Sequence, residues 1–281
     1  MSKYLIVTNV FNAFKDYINS ILKGYEVTIL KAYDKDTNKD NDSIVISINK
    51  NIDNIRYVIN MEQNRGSENQ IKKWLADQKI VLNYNTYHVN TIKDKNHYYL
   101  PYQINLEEID KLKRFGLTDK KYDVIICTVN SDKRSIIYNK LLEKGVKVYN
   151  IGGWEDRRDI EIAKGKILLN IHYNTHYKIY ESLRCDRWLL SGMMVITENS
   201  IDDNELDVKD LLIIEKYDNL VDKVIEVLLN YEKYYNNYES LLLKKKEEII
   251  LNRKNKLNTV LNLINHISDK TVTNDVPYTA Q

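Results

Sequence analysis

The sequence predicts an α/β protein made of two units in tandem, each a mostly parallel sheet with helices packed on it, followed by a long helical stretch. Three observations carry this expectation. Short apolar runs alternate with helix-period segments, and the alternation breaks once and restarts at Tyr122. Residues 122–129 form a nearly continuous apolar run, as a strand covered on both faces requires. The chain has 281 residues, enough for two domains of about 100–150 residues each.

Taken in order, residues 3–8 read as a strand and Asn9 to Leu22 as a helix, with Phe14, Ile18, Ile21 and Leu22 on its apolar face and Gly24 past its end. Residues 25–30, 43–48 and 55–60 follow as strands, with a polar loop at 34–42. A helix capped by Ser67 comes next, then strands at 79–85 and 97–102. Pro101 opens a connector, and residues 104–121 read as the interdomain linker. In the second unit, strands are expected at 122–129, 146–151, 167–172, 193–198 and 211–216. Between them lie a helix at 131–145, with Ser131 as N-cap and Gly145 past its end, a short helix after Gly152-Gly153, and a helix at 180–192. The expected domains are therefore 1–103, 122–218 and a helical region at 219–267, with a loose tail at 268–281.

Composition narrows the function. Lys and Arg number 42 against 40 Asp and Glu, so the net charge of +2 gives no field suited to a general nucleic-acid binder. Two cysteines, Cys127 and Cys185, form neither a disulfide framework nor a zinc pattern, and the expected compartment is the reducing cytoplasm. The N-terminal apolar run is too short for a signal peptide, and nothing approaches a membrane span. Lys244-Lys245-Lys246 and Arg253-Lys254 could touch an anionic membrane, but Glu247 and Glu248 between them favour a solvated helix face. Asp202-Asp203 reads as turn chemistry rather than a metal pair, so no metal is expected.

Ligands of open α/β sheets bind beyond the carboxyl ends of the strands. In the second unit those ends are Thr128-Val129-Asn130-Ser131, Asn150-Ile151-Gly152-Gly153 and Asn170-Ile171-His172, followed by Glu181 and Arg184 at a helix start. Free N–H groups and the helix dipole there suit phosphate, Arg184 suits a diphosphate, and Glu181 suits ribose hydroxyls. Spacing alone favours a plainer reading, in which Glu181 complements the helix dipole and Arg184 is a solvated neighbour.

Leu169-Asn170-Ile171-His172, Glu181-Ser182-Leu183-Arg184 and Val195-Ile196-Thr197-Glu198 together resemble the carboxyl-domain core of GT-B glycosyltransferases of a bacterial and large-virus group. Asn60-Met61-Glu62-Gln63 is similar to that group's Asn-x-Glu-Gln motif, and Leu100-Pro101 to a later Leu-Pro. The resemblance spans about residues 55–220. It implies two Rossmann-like domains with parallel sheets facing a cleft, and transfer of a sugar from a nucleotide-sugar donor to a glycan or other hydroxyl acceptor. The nucleotide-sugar is a co-substrate and no cofactor is implied. Donor contacts would come from Glu181, Arg184, Gly152, Gly153, Asn170 and Tyr180, and the acceptor side from Asn60, Gln63 and Asn9. For the catalytic base, His172 and Glu62 stand as candidates, with His176 as a loop alternative. A glutamate eight positions after Glu181, common in retaining members, is replaced by Leu189, and the first βα turn lacks glycines. Stereochemistry is left open, and a non-catalytic nucleotide- or glycan-binding module with the same fold is the alternative reading.

Overall fold

The computed structural model describes residues 3–7, 18, 22, 25–30, 43–49, 52–53, 55–61, 76–153 and 155–272. The expected helix at 9–22, the polar loop at 34–42 and the helix capped by Ser67 lie almost wholly outside the described residues. By its internal contacts the chain divides into two compact units. One comprises Met1–Glu62, Ser67–Gln103 and Asn252–Gln281, the other Gln63–Gly66 and Ile104–Leu251.

The first unit contains β1 (Lys3–Val7), β2 (Glu26–Leu30), β3 (Ser43–Ile48), β4 (Tyr57–Asn60), β5 (Ile80–Asn83) and β6 (His97–Tyr99), in the order β2-β1-β3-β4-β5-β6. All these pairs are parallel. Every residue of β4 and β5 is buried, as expected of central strands covered on both faces. Between β5 and β6 lies α1 (Thr86–Ile92), a helix the sequence reading did not anticipate; Asn85 caps it by accepting from the His88 N–H at 2.9 Å.

The second unit contains β7 (Tyr122–Cys127), β8 (Val148–Ile151), β9 (Gly165–Asn170), β10 (Met194–Glu198) and β11 (Ile213–Glu215), again parallel, in the order β11-β10-β9-β7-β8. Its helices are α2 (Leu106–Gly116), α3 (Asp132–Glu143), α4 (Glu155–Ile162), α5 (Ser182–Leu189) and α6 (Leu220–Leu229). Helix α2 occupies the stretch expected to be a connector. Asn105 caps it by accepting from Glu107 and Glu108, two acids in its first turn, and Lys113 and Arg114 close the last turn, so both ends match the dipole. Only Ile109 and Leu112 are buried on it, a stripe too narrow to stand out from sequence. Ser131 caps α3 as expected, and Gly145 follows with φ +79°.

Helix α7 (Tyr231–Val272) supplies side chains to both cores. In the second unit Tyr238 is buried and donates to the Leu189 carbonyl. In the first, the Tyr4 hydroxyl donates to Asn265 at 3.0 Å, and buried Arg253 donates to the Tyr102 carbonyl at 2.9 Å. Among the described residues no helix is long and apolar enough to cross a membrane.

One glycine of the second sheet is fixed by space rather than backbone angle. A Cβ on Gly165, at the start of β9, would meet Ile125 Cγ1 of β7 at 2.3 Å. Gly165→Ala is expected to cost about 1–3 kcal/mol by forcing the strands apart or Ile125 off its rotamer. Chemical denaturation checks this, and a wild-type midpoint would show that the β7–β9 contact is slack.

Candidate functional site

In the second sheet β8 lies to one side of β7 and β10 to the far side of β9, so successive connections leave in opposite directions from between β7 and β9. That switch point is where an open parallel sheet leaves a crevice beyond its carboxyl ends. Arg134, in the first turn of α3 and 4% exposed, ties the two ends together. Its Nε donates to the Ile171 carbonyl at 2.8 Å and its Nη1 to the Val129 carbonyl at 2.7 Å. Its guanidinium also lies 5.4 Å from the Tyr173 ring centroid. Burial, and next the charge of Arg184, push its pKa down to about 10.

Glu181 occupies the N-cap position of α5 without a side-chain capping bond. Arg184 Nη2 lies 3.8 Å from Glu181 Oε2, a loose i,i+3 pair, and Arg184 Nη1 donates to Asn170 Oδ1 at 3.4 Å. Asn170, the last residue of β9, is buried and donates to Thr197 Oγ1 of β10 at 3.0 Å. Three of the residues expected at the site, Glu181, Arg184 and Asn170, are therefore brought together at the switch point. Tyr180 is buried, with its N–H donating to Asp202 Oδ1 at 3.0 Å. Burial raises the Asp202 pKa to about 6, and Asp203 accepts from the Ser200 N–H at 2.9 Å. Both acids thus organise the loop after β10. Among the described residues no group of three or more His, Cys, Asp or Glu could hold a metal ion.

A second cluster stands on the ends of β9 and β10. Glu198, 8% exposed at its side chain, pairs with Lys133 through Oε1 and accepts the His172 N–H through Oε2 at 3.1 Å. His172 is buried, with Nε2 3.2 Å from both the Asn199 carbonyl and Ser200 Oγ. A carbonyl only accepts, so the ring carries its proton on Nε2 and keeps a lone pair on Nδ1, which has no hydrogen-bond partner. Burial lowers the pKa of this ring below the usual histidine range, although Glu198 works against the shift. His176 is exposed in the loop beyond. Lys133, His172, Thr175, Tyr177, Lys178, Glu198 and Ser200 line an open cleft of about 290 Å³.

Gly152 and Gly153 are exposed after β8, and Gly153 has φ +92°, a conformation that excludes most side chains. Arg158 of α4 donates to the Gly153 carbonyl at 3.3 Å and to Asp159 Oδ1 at 3.2 Å. Asp159 in turn takes two bonds from Arg187 of α5, at 3.0 and 2.6 Å. One buried carboxylate thereby connects the glycine loop to the helix that carries Glu181 and Arg184.

In the first unit Asn60 is buried at the end of β4 and donates to Asn83 Oδ1 at 3.0 Å; Asn83 Nδ2 lies 3.3 Å from His97 Nδ1. Asn9, Glu62 and Gln63 lie outside the described residues. The sequence reading did not single out Lys133, Arg134 or Ser200, and assigned Glu198 no role. A legible signal existed for the first two: a Ser cap directly after a buried strand places the next basic residues on the carboxyl rim.

No family model matches the chain. It is 34% identical over 203 residues to uncharacterized protein L137 of Acanthamoeba polyphaga mimivirus, covering 70% of this chain and 28% of that protein. Identity to L138 of the same virus is 37% over 171 residues (59% and 19%), and to L140 37% over 165 residues (57% and 54%). The chain thus spans less than two thirds of the length of these relatives. Among solved structures, T4 phage BGT in complex with UDP and Mn2+ is similar at a TM-score of 0.56 and 14% identity, covering 94% of this chain and 99% of that one. An α1,3-fucosyltransferase with GDP has a TM-score of 0.43 at 12% identity, covering 86% and 81%. The fold, mixed α/β with parallel sheets, is shared with T4 phage BGT.

Proposed function

We propose that the second unit binds the nucleotide of a nucleotide-sugar donor and that the protein is a glycosyltransferase. The observation that carries this reading is the convergence of Glu181, Arg184 and Asn170 at the switch point of the second sheet. The fold shared with T4 phage BGT, a protein solved with UDP, supports it. In this reading Glu181 accepts from the ribose hydroxyls and Arg184 faces the diphosphate. The N–H groups at the start of α5 add their dipole, and the exposed backbone of Gly152-Gly153 lets the ligand approach closely. The sugar passes to a hydroxyl of a glycan or protein acceptor, whose recognition we assign to Asn9, Asn60 and Gln63. His172 and Glu62 are the groups to test as the proton acceptor. Burial lowers the His172 pKa and so favours the neutral imidazole, the form a proton acceptor needs near pH 7.

The test is a thermal-shift panel of UDP, GDP, CMP and dTDP with their common sugar conjugates, on wild type, Glu181→Ala and Arg184→Ala. A ligand at about 100 times its Kd adds about 2.7 kcal/mol, a shift of several degrees. Each substitution is expected to weaken binding by about 1.5–3 kcal/mol, the worth of a hydrogen bond to a charged group, with little change in the unliganded melting point. Silence of wild type towards every nucleotide would sink the donor site. Binding without hydrolysis or transfer would leave a non-catalytic binding module.

A further inference from the structure

The cleft at the ends of β9 and β10 is not lined by Glu181 or Arg184, and its chemistry differs from theirs. We infer that it is a subsite for a single pyranose ring; in the reading above, that ring is the sugar of the donor. The argument begins with size. At about 290 Å³ the cleft lies just below the ~300 Å³ where pockets for whole small molecules begin, so it suits one ring rather than a nucleotide.

The lining then selects the ligand. A phosphate only accepts hydrogen bonds and would meet the Glu198 carboxylate, which is held rigidly between Lys133 and the His172 N–H. A nucleobase needs a flat apolar slot, whereas this wall carries the Lys133 and Lys178 ammonium groups, the Glu198 carboxylate, the Asn199 amide and the Thr175 and Ser200 hydroxyls. Pyranose hydroxyls both donate and accept, which is the mixture that Lys133, Glu198 and Ser200 present. His172, 3% exposed, also lines the cleft and, through its own backbone N–H, fixes Glu198 Oε2 in place. Tyr177 provides an aromatic ring, set edge-to-face on Tyr173 at 5.6 Å, for the C–H face of a sugar.

Two sources of a pyranose exist, the donor and an acceptor glycan, and the experiment separates them. Affinities of UDP, GDP and dTDP, each alone and as hexose conjugates, are compared on wild type, Glu198→Gln, Tyr177→Ala and Ser200→Ala. Saturation-transfer NMR with methyl hexosides runs in parallel. The expected result is a conjugate binding about tenfold tighter than its diphosphate in wild type. That gain should vanish in the variants while diphosphate affinity stays within about twofold. Tyr177→Ala and Ser200→Ala lie on the cleft wall and keep the test open if Glu198→Gln fails to fold.

Loss of methyl-hexoside signal with the conjugate gain intact would assign the pyranose to the acceptor and uphold the cleft as its subsite. If wild type binds no nucleotide, the donor reading fails, and the hexoside arm alone decides the cleft. Hexoside binding lost in the variants upholds it, and no binding overturns it. A conjugate gain and hexoside binding that both survive all three substitutions would also overturn it.

Discussion

Asp159→Ala is expected to be the most damaging single substitution in the second unit, at about 3–5 kcal/mol. Its carboxylate is 2% exposed and holds Arg187 bidentately, with Arg158 on the same Oδ1. Truncation leaves the Arg187 guanidinium, 9% exposed, with Glu108 at 2.6 Å as its remaining carboxylate. That residual pair places the cost toward the lower end of the range. It also cuts the connection from α5 through Arg158 to the Gly153 carbonyl, so the loss reaches the candidate site. Denaturant unfolding followed by hydrogen exchange in β7 and β9 reads the second unit without assuming that both units unfold together. A loss under about 1 kcal/mol would mean that Glu108 and water replace Asp159, and that the cluster is not what fixes α5.

The second large effect is acid sensitivity of the first unit. Burial, with a smaller contribution from His97, lowers the pKa of His88 from 6.5 to about 4, and burial lowers His97 too. A folded-state pKa below the unfolded one means that the native state resists protonation. The stability is therefore whole above about pH 6.5 and is lost as pH falls through the window down to about 4. For His88 the full loss is about 3 kcal/mol. Asp202 in the second unit works in the opposite sense. Its pKa is raised to about 6, so the native state there gains a proton first and is favoured as pH falls from about 6 towards 3.8. Unfolding measured at pH 7, 5 and 4, with hydrogen exchange read in β4–β5, should show this pair opening as pH falls, while in the second unit His172, whose pKa burial also lowers, opposes Asp202. An unchanged pH profile of β4–β5 in His88→Gln would refute the assignment to His88.

The contrast between α2 and α3 shows where the sequence was legible. Helix α3 follows a buried strand, begins at a Ser cap and ends before a glycine with φ +79°, and all of these are local signals. Helix α2 has its own cap in Asn105, but a two-residue buried stripe and many charges made it read as a connector. Its packing decided the matter. In β4 and β5 the apolar runs were clear, yet the observed strands, Tyr57–Asn60 and Ile80–Asn83, are shorter than the runs because ladder pairing, not hydrophobicity, sets their ends.

By itself the sequence determined that this chain is α/β, that its sheets are mostly parallel with buried central strands, and that Glu181 and Arg184 share a turn at a helix start beside the end of β9. These follow from periodicity, capping and i,i+3 spacing, which act over a few residues. Tertiary structure alone decided the order β11-β10-β9-β7-β8 that opens the crevice, and the bridging of two strand ends by Arg134. It alone joined Lys133 to Glu198 and Asp159 to Arg187, pairs 65 and 28 residues apart. The physical reason is that such partners meet only after the sheet has paired and loop-closure entropy has been overcome, so nothing in their sequence neighbourhood records the contact.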